Sequence, residues 1–151
     1  MAKHEKSAGA VIYYLENNKP KFLILQNTLK KTYWEFPKGK IEKNENIEDT
    51  VKREVEEETG LKNIEIIPGF KETLTWFFKL RGELIKKEAV YLLLKIPQTD
   101  KDKVEISSEH EKFSWMAIEE AMEKVNIKAN RELVGKAYEF ILEYEKQKKL
   151  F

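Results

Sequence analysis

The sequence comprises 151 residues, contains no cysteine, and has 28 lysines and arginines against 27 aspartates and glutamates. A chain of this length predicts a single domain, residues 1–151, with a hydrophobic core. The near-zero net charge disfavours a protein that binds extended nucleic acid or an anionic membrane. The lack of cysteine, of a signal peptide and of an apolar run approaching about 18 residues predicts a cytoplasmic protein. We also expect a monomer.

Strand patterns dominate the beginning of the chain. The apolar runs Ser7–Tyr14 and Lys21–Gln26 are typical of buried strands, and the turn-forming residues between them predict a hairpin. Residues 27–32 are polar and are predicted to form a loop. Residues 33–36 then alternate in the manner of a strand, which Pro37 ends.

A helix is predicted after this strand. It should begin near Ile47, with Asn44 or Asn46 as its N-cap, and end at Gly60, a residue typical of the C′ position. The stretch contains an apolar side that starts at Ile47 and recurs with helical spacing.

Three glutamates of this helix lie close together. At about 100° per residue, Glu54 and Glu58 fall at the inner edge of the apolar side, and Glu57 flanks them. Carboxylates at this spacing repel one another, and a buried carboxylate requires a cation or a basic partner. Arg53 can pair with one of the three glutamates. The cluster is therefore either a solvated, ion-paired surface or a cation site.

The middle of the chain is predicted to form further strands. Residues 61–67 predict a short strand, and Phe70–Leu80 has the period-two pattern of a longer one. Arg81 and Gly82 mark the turn of a second hairpin, whose return strand is Glu83–Ile96. Residues 98–103 are predicted to form a charged linker.

The last third contains two predicted helices. Residues 109–111 are predicted to lie in a loop before a short strand around Trp115. A short helix is predicted over Ala117–Val125, and Asn130 is expected to cap a final helix from Arg131 to about Lys149. Hairpins combined with three helices predict an α+β (mixed α/β) domain in which helices cover a sheet.

The segment Gly39–Leu61 matches the Nudix box, G-x5-E-x7-R-E-U-x-E-E-x-G-U with U a bulky aliphatic residue, at all nine defined positions. These positions are Gly39, Glu45, Arg53, Glu54, Val55, Glu57, Glu58, Gly60 and Leu61. The sequence thus resembles the Nudix hydrolases, which implies an α/β/α sandwich around a mixed β-sheet. Residues 7–140 also resemble one branch, the asymmetrical bis(5′-nucleosyl)-tetraphosphatases. The resemblance is weakest in the 27–32 loop and in the Phe77–Lys86 hairpin, which is longer here.

The resemblance implies roles for individual residues. Glu54, Glu57 and Glu58 would bind Mg²⁺ (or Mn²⁺), with a backbone carbonyl near Gly39 as an additional ligand. The general base would be Glu57, Glu54 or Glu109. Arg53 would pair with Glu45 and hold the helix and the preceding loop in place.

Substrate contacts would come from residues outside the box. Lys38 and Lys87 are candidates for contacts to phosphate. Trp76, Tyr91 and Phe140 are candidates for contacts to a nucleobase, since bases stack on aromatic rings. Each of these five residues has an alternative role, as a solvated lysine or a core aromatic.

We interpret the sequence as a metal-dependent hydrolase that cuts a phosphoanhydride bond in diadenosine tetraphosphate and related dinucleoside polyphosphates, giving ATP and AMP by water attack. One alternative is an RNA 5′-pyrophosphohydrolase or a broad nucleoside-polyphosphate hydrolase. An alternative of a different class is a non-catalytic, nucleotide-binding Nudix module. The complete set Glu54, Glu57 and Glu58 argues against such a module, which would be expected to have lost ligands.

Overall fold

A computed structural model describes residues 3–150 of the chain as one β-sheet with helices on both faces. The strands are β1 (Lys3–Glu16), β2 (Lys19–Asn27), β3 (Trp34–Glu35), β4 (Lys38–Lys40), β5 (Glu65–Leu80), β6 (Glu83–Lys95) and β7 (His110–Met116). The α-helices are α1 (Ile47–Thr59), α2 (Ile118–Lys124) and α3 (Lys128–Lys149). Within this part of the chain, no helix is long and apolar enough to cross a membrane.

The sheet is mixed, and β1 lies at its centre. The strand order is β3-β2-β1-β6-β5, with β4 also paired to β1 and β7 paired to β2. The β1–β6 pair is parallel, whereas the other pairs are antiparallel. Because parallel strands need coverage on both faces, this arrangement requires helices on each side.

Alternate residues of β1 enter two separate cores, since successive side chains of a strand point to opposite faces. Tyr13 packs in the core that contains apolar residues of α2 and α3. Ile12 packs in the other core, together with Val51 and Val55 of α1. The predicted α/β/α sandwich around a mixed sheet is thereby confirmed.

Helix α1 begins and ends as the sequence predicts. Asn46 accepts a hydrogen bond from the Asp49 backbone N–H at 2.8 Å, and Asp49 accepts one from the Asn46 N–H, which completes a capping box. Gly60 follows the helix in the left-handed conformation, with φ of 74°. Of the two predicted caps, Asn46 is therefore the correct one.

Two predictions about loops and strands were wrong. Residues 61–64 do not form a strand; β5 begins at Glu65 and continues to Leu80, with a register shift between Ile66 and Lys71 that accommodates the intervening proline and glycine. Residues 98–103 form a 3₁₀ helix and not a linker; the Asp100 carboxylate in this helix is buried and lies 3.0 Å from Lys103 Nζ.

Two boundaries near the C-terminal half also differ. Helix α3 begins at Lys128 with Ile127 at the N-cap, so Asn130 lies inside the first turn and does not cap the helix. His110, predicted in a loop, is the first residue of β7, because β7 pairs along β2 as far as Asn27. This pairing brings His110 close to β3, which lies on the other side of β2.

Candidate active site

Four carboxyl groups and one histidine meet where α1, β3 and the start of β7 converge. His110 Nε2 lies 3.0 Å from Glu35 Oε2, and His110 Nδ1 lies 3.8 Å from Glu58 Oε1. Ligand atoms of Glu58, Glu109 and His110 all lie within 4.8 Å of one another. Glu54 lies beside Glu58, one turn earlier on α1. We call these five residues the acidic cluster.

Backbone pairing explains why residues so distant in sequence meet here. Leu25 of β2 pairs with Glu35, and Asn27 pairs with His110, so the end of β2 places both side chains near each other. The backbone N–H of Ser107 also donates to the carbonyl of Glu58 at 3.3 Å. The segment that carries Glu109 and His110 is therefore attached to the end of α1.

Glu58 is a buried carboxyl group without sufficient partners. Its exposed fraction is 4%, and within residues 3–150 its Oε2 has no hydrogen-bond partner. Burial, the adjacent Glu54 carboxyl group and the charge of Glu109 together raise the pKa of Glu58 to about 10. A cation beside these oxygens would compensate the cost of burying the charge, so the cluster fits a hard divalent metal ion.

Gly39 makes room for Glu54. A Cβ atom added to Gly39 would overlap the carboxyl group of Glu54. Only glycine lets the β4 backbone approach this carboxylate so closely. The first glycine of the box thus fixes the position of one potential metal ligand.

Arg53 connects the loop before α1 to the helix. Its Nε and one terminal nitrogen donate to the two oxygens of Glu45 at 2.7 and 2.9 Å, and it also donates to the Lys40 carbonyl at 3.0 Å. Its other terminal nitrogen donates to Glu54 at 2.8 Å. The hydrogen bonds from Arg53 to Glu45, together with one from the Glu42 backbone N–H, lower the pKa of Glu45 to about 2. These contacts suit the orienting role that the resemblance implies for Arg53, and a part of Arg53 in catalysis stays a prediction.

Replacement of Arg53 by lysine is expected to raise the pH midpoint of acid unfolding. Glu45 has a lowered pKa, so its contribution to stability is present above the unfolded value of about 4.5 and is lost as the pH falls towards 2. Lysine keeps the charge and loses the bidentate geometry, so this contribution should shrink. Circular dichroism from pH 5 to pH 2 measures the midpoint. Arg81→Lys, in the exposed hairpin turn, is the control, and equal midpoints for the two variants would refute the role of Arg53.

A cleft of about 410 Å³ is lined by Lys38, on whose ammonium group the charges of Glu35 and Glu58 of the acidic cluster act. Its lining residues are Lys38, Thr73, Leu74, Thr75, Trp76, Tyr91, Ile127, Ala129 and Asn130. Lys38 Nζ lies 5.3 Å from the centre of the Trp76 ring, which is 37% exposed. Burial lowers the pKa of Lys38, and the positive charge of Lys87 lowers it further. The cleft thus combines an aromatic face with a partly desolvated ammonium group.

Gly9 of β1 lets two residues that line this cleft approach the strand closely. A Cβ atom on Gly9 would lie 2.6 Å from the Cβ of Lys38 and 3.0 Å from Cε1 of Tyr91. Because Gly9 has no side chain, Lys38 and Tyr91 can both pack closely against its backbone. In β4, Lys38 lines the cleft whereas the next residue, Gly39, packs against Glu54, so this strand lies between the cleft and Glu54 of the acidic cluster.

A second cleft, of about 440 Å³, shares two residues with the acidic cluster. Glu35 and Glu109 line it together with Asn27, Thr28, Leu29 and Ser108. Two carboxylates of the acidic cluster therefore face this second cleft.

The structure places the remaining predicted residues at different distances from this site. Glu57 lies at the rim with a 56% exposed side chain, 3.4 Å from Arg53. Lys87 lies directly opposite Trp76 on the neighbouring strand. Phe140 lies elsewhere: its ring packs against Phe70 and Tyr144 and does not line the cleft.

Sequence reasoning missed Glu35. Its carboxylate accepts a hydrogen bond from Asn27 at 3.4 Å in addition to its contact with His110. The available signal was a single charged residue between Trp34 and Phe36 in an otherwise aromatic strand. That pattern alone does not distinguish a site residue from an outward-facing strand residue.

Comparison with known proteins places the chain in a defined group. The NUDIX domain model matches residues 5–136. The asymmetrical bis(5′-nucleosyl)-tetraphosphatase of Caenorhabditis elegans is 32% identical over 119 residues, which cover 78% of this chain and 82% of the relative. A crystal structure of a binary complex of C. elegans Ap4A hydrolase has a TM-score of 0.79, with 29% identity, and the match covers 91% of this chain and 98% of that one.

A relative with a different described activity is the mRNA-decapping protein g5R of African swine fever virus. It is 27% identical over 153 residues, covering 90% of this chain. The match spans 60% of the viral protein.

Proposed function

The chain belongs to the NUDIX family and is a hydrolase of this type, and we propose that it hydrolyses diadenosine tetraphosphate and related dinucleoside polyphosphates to ATP and AMP. The observation that carries the proposal is the buried Glu58 carboxyl group, which has an unpaired oxygen and whose charge acts on Lys38, a residue that lines the cleft together with Trp76. The cluster supports a metal-assisted reaction, and the cleft supports binding of a base and its phosphates. The similarity to asymmetrical bis(5′-nucleosyl)-tetraphosphatases supports this choice of substrate.

Mg²⁺, or Mn²⁺, is the proposed cofactor. Glu54 and Glu58 would hold it, Glu57 would reach it from the rim, and a backbone carbonyl near Gly39 would complete the protein ligands. When bound, the ion supplies charge neutralisation for phosphate oxygens and lowers the pKa of water. The orphaned oxygen of Glu58 and the oxygen-only donor set of the glutamates suit a hard cation.

The chain's own residues supply the remaining chemistry. A water oxygen attacks one phosphorus, the phosphoanhydride P–O bond on the far side breaks, and the leaving phosphate departs with the electron pair. A carboxylate accepts the proton of the water. Glu54, Glu57 and Glu109 are the candidates for this base, and Glu109 is the one that also lines the second cleft.

The cleft orients the substrate for this attack. The face of Trp76 would stack on one nucleobase, and Lys38, with Lys87 beside it, would pair with phosphates. Tyr91 lines the same cleft and, like Lys38, packs against the backbone of Gly9. Holding base and phosphate together reduces the entropy lost on reaching the transition state.

A second candidate is hydrolysis at the 5′ end of RNA, which the similarity to the viral mRNA-decapping protein favours. A nucleoside polyphosphate and an RNA 5′ end share the base and the phosphate chain that this cleft would contact. The net charge of +1 supports contact with a few nucleotides at most, because extended RNA requires many phosphate contacts.

We propose that the protein acts as a monomer, on a small molecule.

The test is a substrate panel with Mg²⁺. Diadenosine tetraphosphate, a dinucleoside triphosphate, ADP-ribose, 8-oxo-dGTP and triphosphorylated RNA are compared by kcat/KM. We expect diadenosine tetraphosphate to have the highest value. A higher value for triphosphorylated RNA would favour the second candidate, and no turnover of any substrate would favour a binding module.

A further inference from the structure

The β5–β6 hairpin continues beyond the cleft and carries a second aromatic residue on the same face as Trp76. Phe78 lies two residues after Trp76 on β5, and side chains two residues apart in a strand share a face. In the hairpin register, Trp76 pairs with Lys87 and Phe78 pairs with Ile85. The face therefore presents Trp76, Phe78 and Lys87 next to one another.

A lysine ammonium group lies over each of the two aromatic rings. Lys38 Nζ lies 5.3 Å from the centre of the Trp76 ring, and Lys87 Nζ lies 5.3 Å from the centre of the Phe78 ring. Both distances are within the range of a cation–π interaction. Lys87 Nζ also lies 3.5 Å from Glu5 Oε2, on the adjacent strand β1. Two similar pairs, each of one ring and one ammonium group, thus follow each other along the hairpin.

The pair formed by Phe78 and Lys87 lies on a part of the hairpin that is joined to the rest of the sheet. Ile85, opposite Phe78, is only 3% exposed, and it also pairs with Lys3 of β1. Pairing among three strands therefore holds the backbone position from which the Phe78 ring projects. At about 3.4 Å per residue, the backbone positions of Trp76 and Phe78 are roughly 7 Å apart.

We propose that Phe78 and Lys87 form a second nucleotide subsite, which binds the second nucleoside of a dinucleoside polyphosphate. This inference rests on the proposed function and specifies how the substrate's other end is recognised. A base that stacks on Phe78 takes the place of the Lys87 ammonium over the ring. The flexible lysine then turns to a phosphate of the same ligand, and Glu5 holds it near the ring until the ligand binds.

The opposite face of the hairpin provides a matched control. Phe77 is adjacent in sequence and 58% exposed, and it pairs with Lys86 on the other face. Its ring therefore has similar size and greater exposure but cannot reach a ligand on the face of Trp76. Replacing Phe77 and Phe78 separately distinguishes a subsite from general hydrophobicity of the hairpin.

The experiment compares Phe78→Leu, Phe78→Tyr and Phe77→Leu with the unmodified chain. The two substrates are diadenosine tetraphosphate and adenosine 5′-tetraphosphate, which have the same phosphate chain and differ by one nucleoside. Loss of one stacking platform should raise KM for diadenosine tetraphosphate roughly tenfold in Phe78→Leu and change it less than about twofold for adenosine tetraphosphate. Phe78→Tyr keeps the ring and should resemble the unmodified chain, as should Phe77→Leu.

An equal change for both substrates, or no change for either, would overturn the inference. If the unmodified chain does not hydrolyse diadenosine tetraphosphate, the proposed function fails, and titration calorimetry with the same two ligands then tests the subsite by itself. Weaker binding of diadenosine tetraphosphate to Phe78→Leu alone would support the subsite. Equal binding by the two proteins, or binding by neither, would refute it.

Discussion

Glu58→Gln is expected to lower kcat about a thousandfold while the metal-free fold stays intact. The Glu58 carboxyl group has a pKa of about 10 in the metal-free protein, so at pH 7 it is protonated and closely similar to glutamine in size and charge. Glutamine cannot become the anionic ligand that a divalent cation requires. The loss of several kcal/mol of transition-state stabilisation corresponds to a rate effect of this size.

The same variant should change how stability depends on pH. Because the folded pKa of Glu58 lies above the unfolded value of about 4.5, the folded state retains a proton that the unfolded state loses between pH 4.5 and pH 10. The metal-free chain should therefore lose stability across this window as the pH rises. Glu58→Gln removes this titration, so the variant should gain stability relative to the unmodified chain towards pH 10.

Thermal unfolding, followed across this pH range with and without Mg²⁺, measures the stability of the fold and the binding of the ion. The unmodified chain should show a higher Tm with the ion, because a ligand of the folded state stabilises it, and Glu58→Gln should not. Glu56→Gln is the control, since Glu56 lies on the exposed side of the same helix. A Glu58→Gln variant that keeps both turnover and the Mg²⁺-dependent rise in Tm would show that this carboxylate is not a ligand.

Gly39→Ala is expected to lower kcat/KM about a hundredfold. The added methyl group would overlap the Glu54 carboxyl group, so the carboxylate or the β4 backbone must shift. A displacement of about 1 Å at a catalytic centre can cost this much in rate. Because Glu54 also accepts from Arg53, the shift should disturb the orientation of the loop before α1 as well.

Gly135→Ala is the matched control for Gly39→Ala. Gly135 lies within α3, where a new Cβ would meet only Met122, at an ordinary distance of 3.7 Å. Alanine in a helix interior should stabilise the fold by about 0.5–1 kcal/mol and leave activity unchanged. Steady-state kinetics and denaturant titrations on both variants separate the local effect at Glu54 from the general effect of adding a methyl group. Unchanged kinetics in Gly39→Ala would refute the close packing of β4 on Glu54.

The local signals of the sequence were sufficient for α1. Its cap, its terminal glycine and the inward direction of Glu54 and Glu58 follow from helical spacing and from residue types near the ends. Glu57, predicted at the flank, is more exposed than the other two. These features depend on residues within one turn of one another, which is why they can be read from the sequence.

The sequence does not indicate the features that depend on sheet register. Glu35 and His110 are 75 residues apart and meet only because β3 and β7 both pair with β2. The aromatic–lysine pair of Phe78 and Lys87 depends likewise on the register of β5 against β6. Tyr91, which the resemblance did indicate, lines the cleft, but its packing against the bare backbone of Gly9 depends on the register of β6 against β1. Such pairings combine two segments whose patterns give no information about each other.

Some local predictions failed because a stronger interaction determines the structure. Asn130 is a good capping residue, yet α3 starts earlier, at Lys128, and Asn130 lines the cleft. The charged residues 98–103 suggested a linker, but the buried Asp100 and the hydrogen bond from Trp115 Nε1 to the Lys101 carbonyl fix them against the domain. The predicted single domain, residues 1–151, and the predicted cytoplasmic location stay predictions.

Product analysis of diadenosine tetraphosphate hydrolysis tests the central claim most directly. The chain is incubated with the substrate, with and without Mg²⁺, and the nucleotides are separated by anion-exchange chromatography. The proposed function predicts equal amounts of ATP and AMP, formed only with the metal ion. Two molecules of ADP for each substrate molecule, or cleavage that does not depend on the ion, would contradict it.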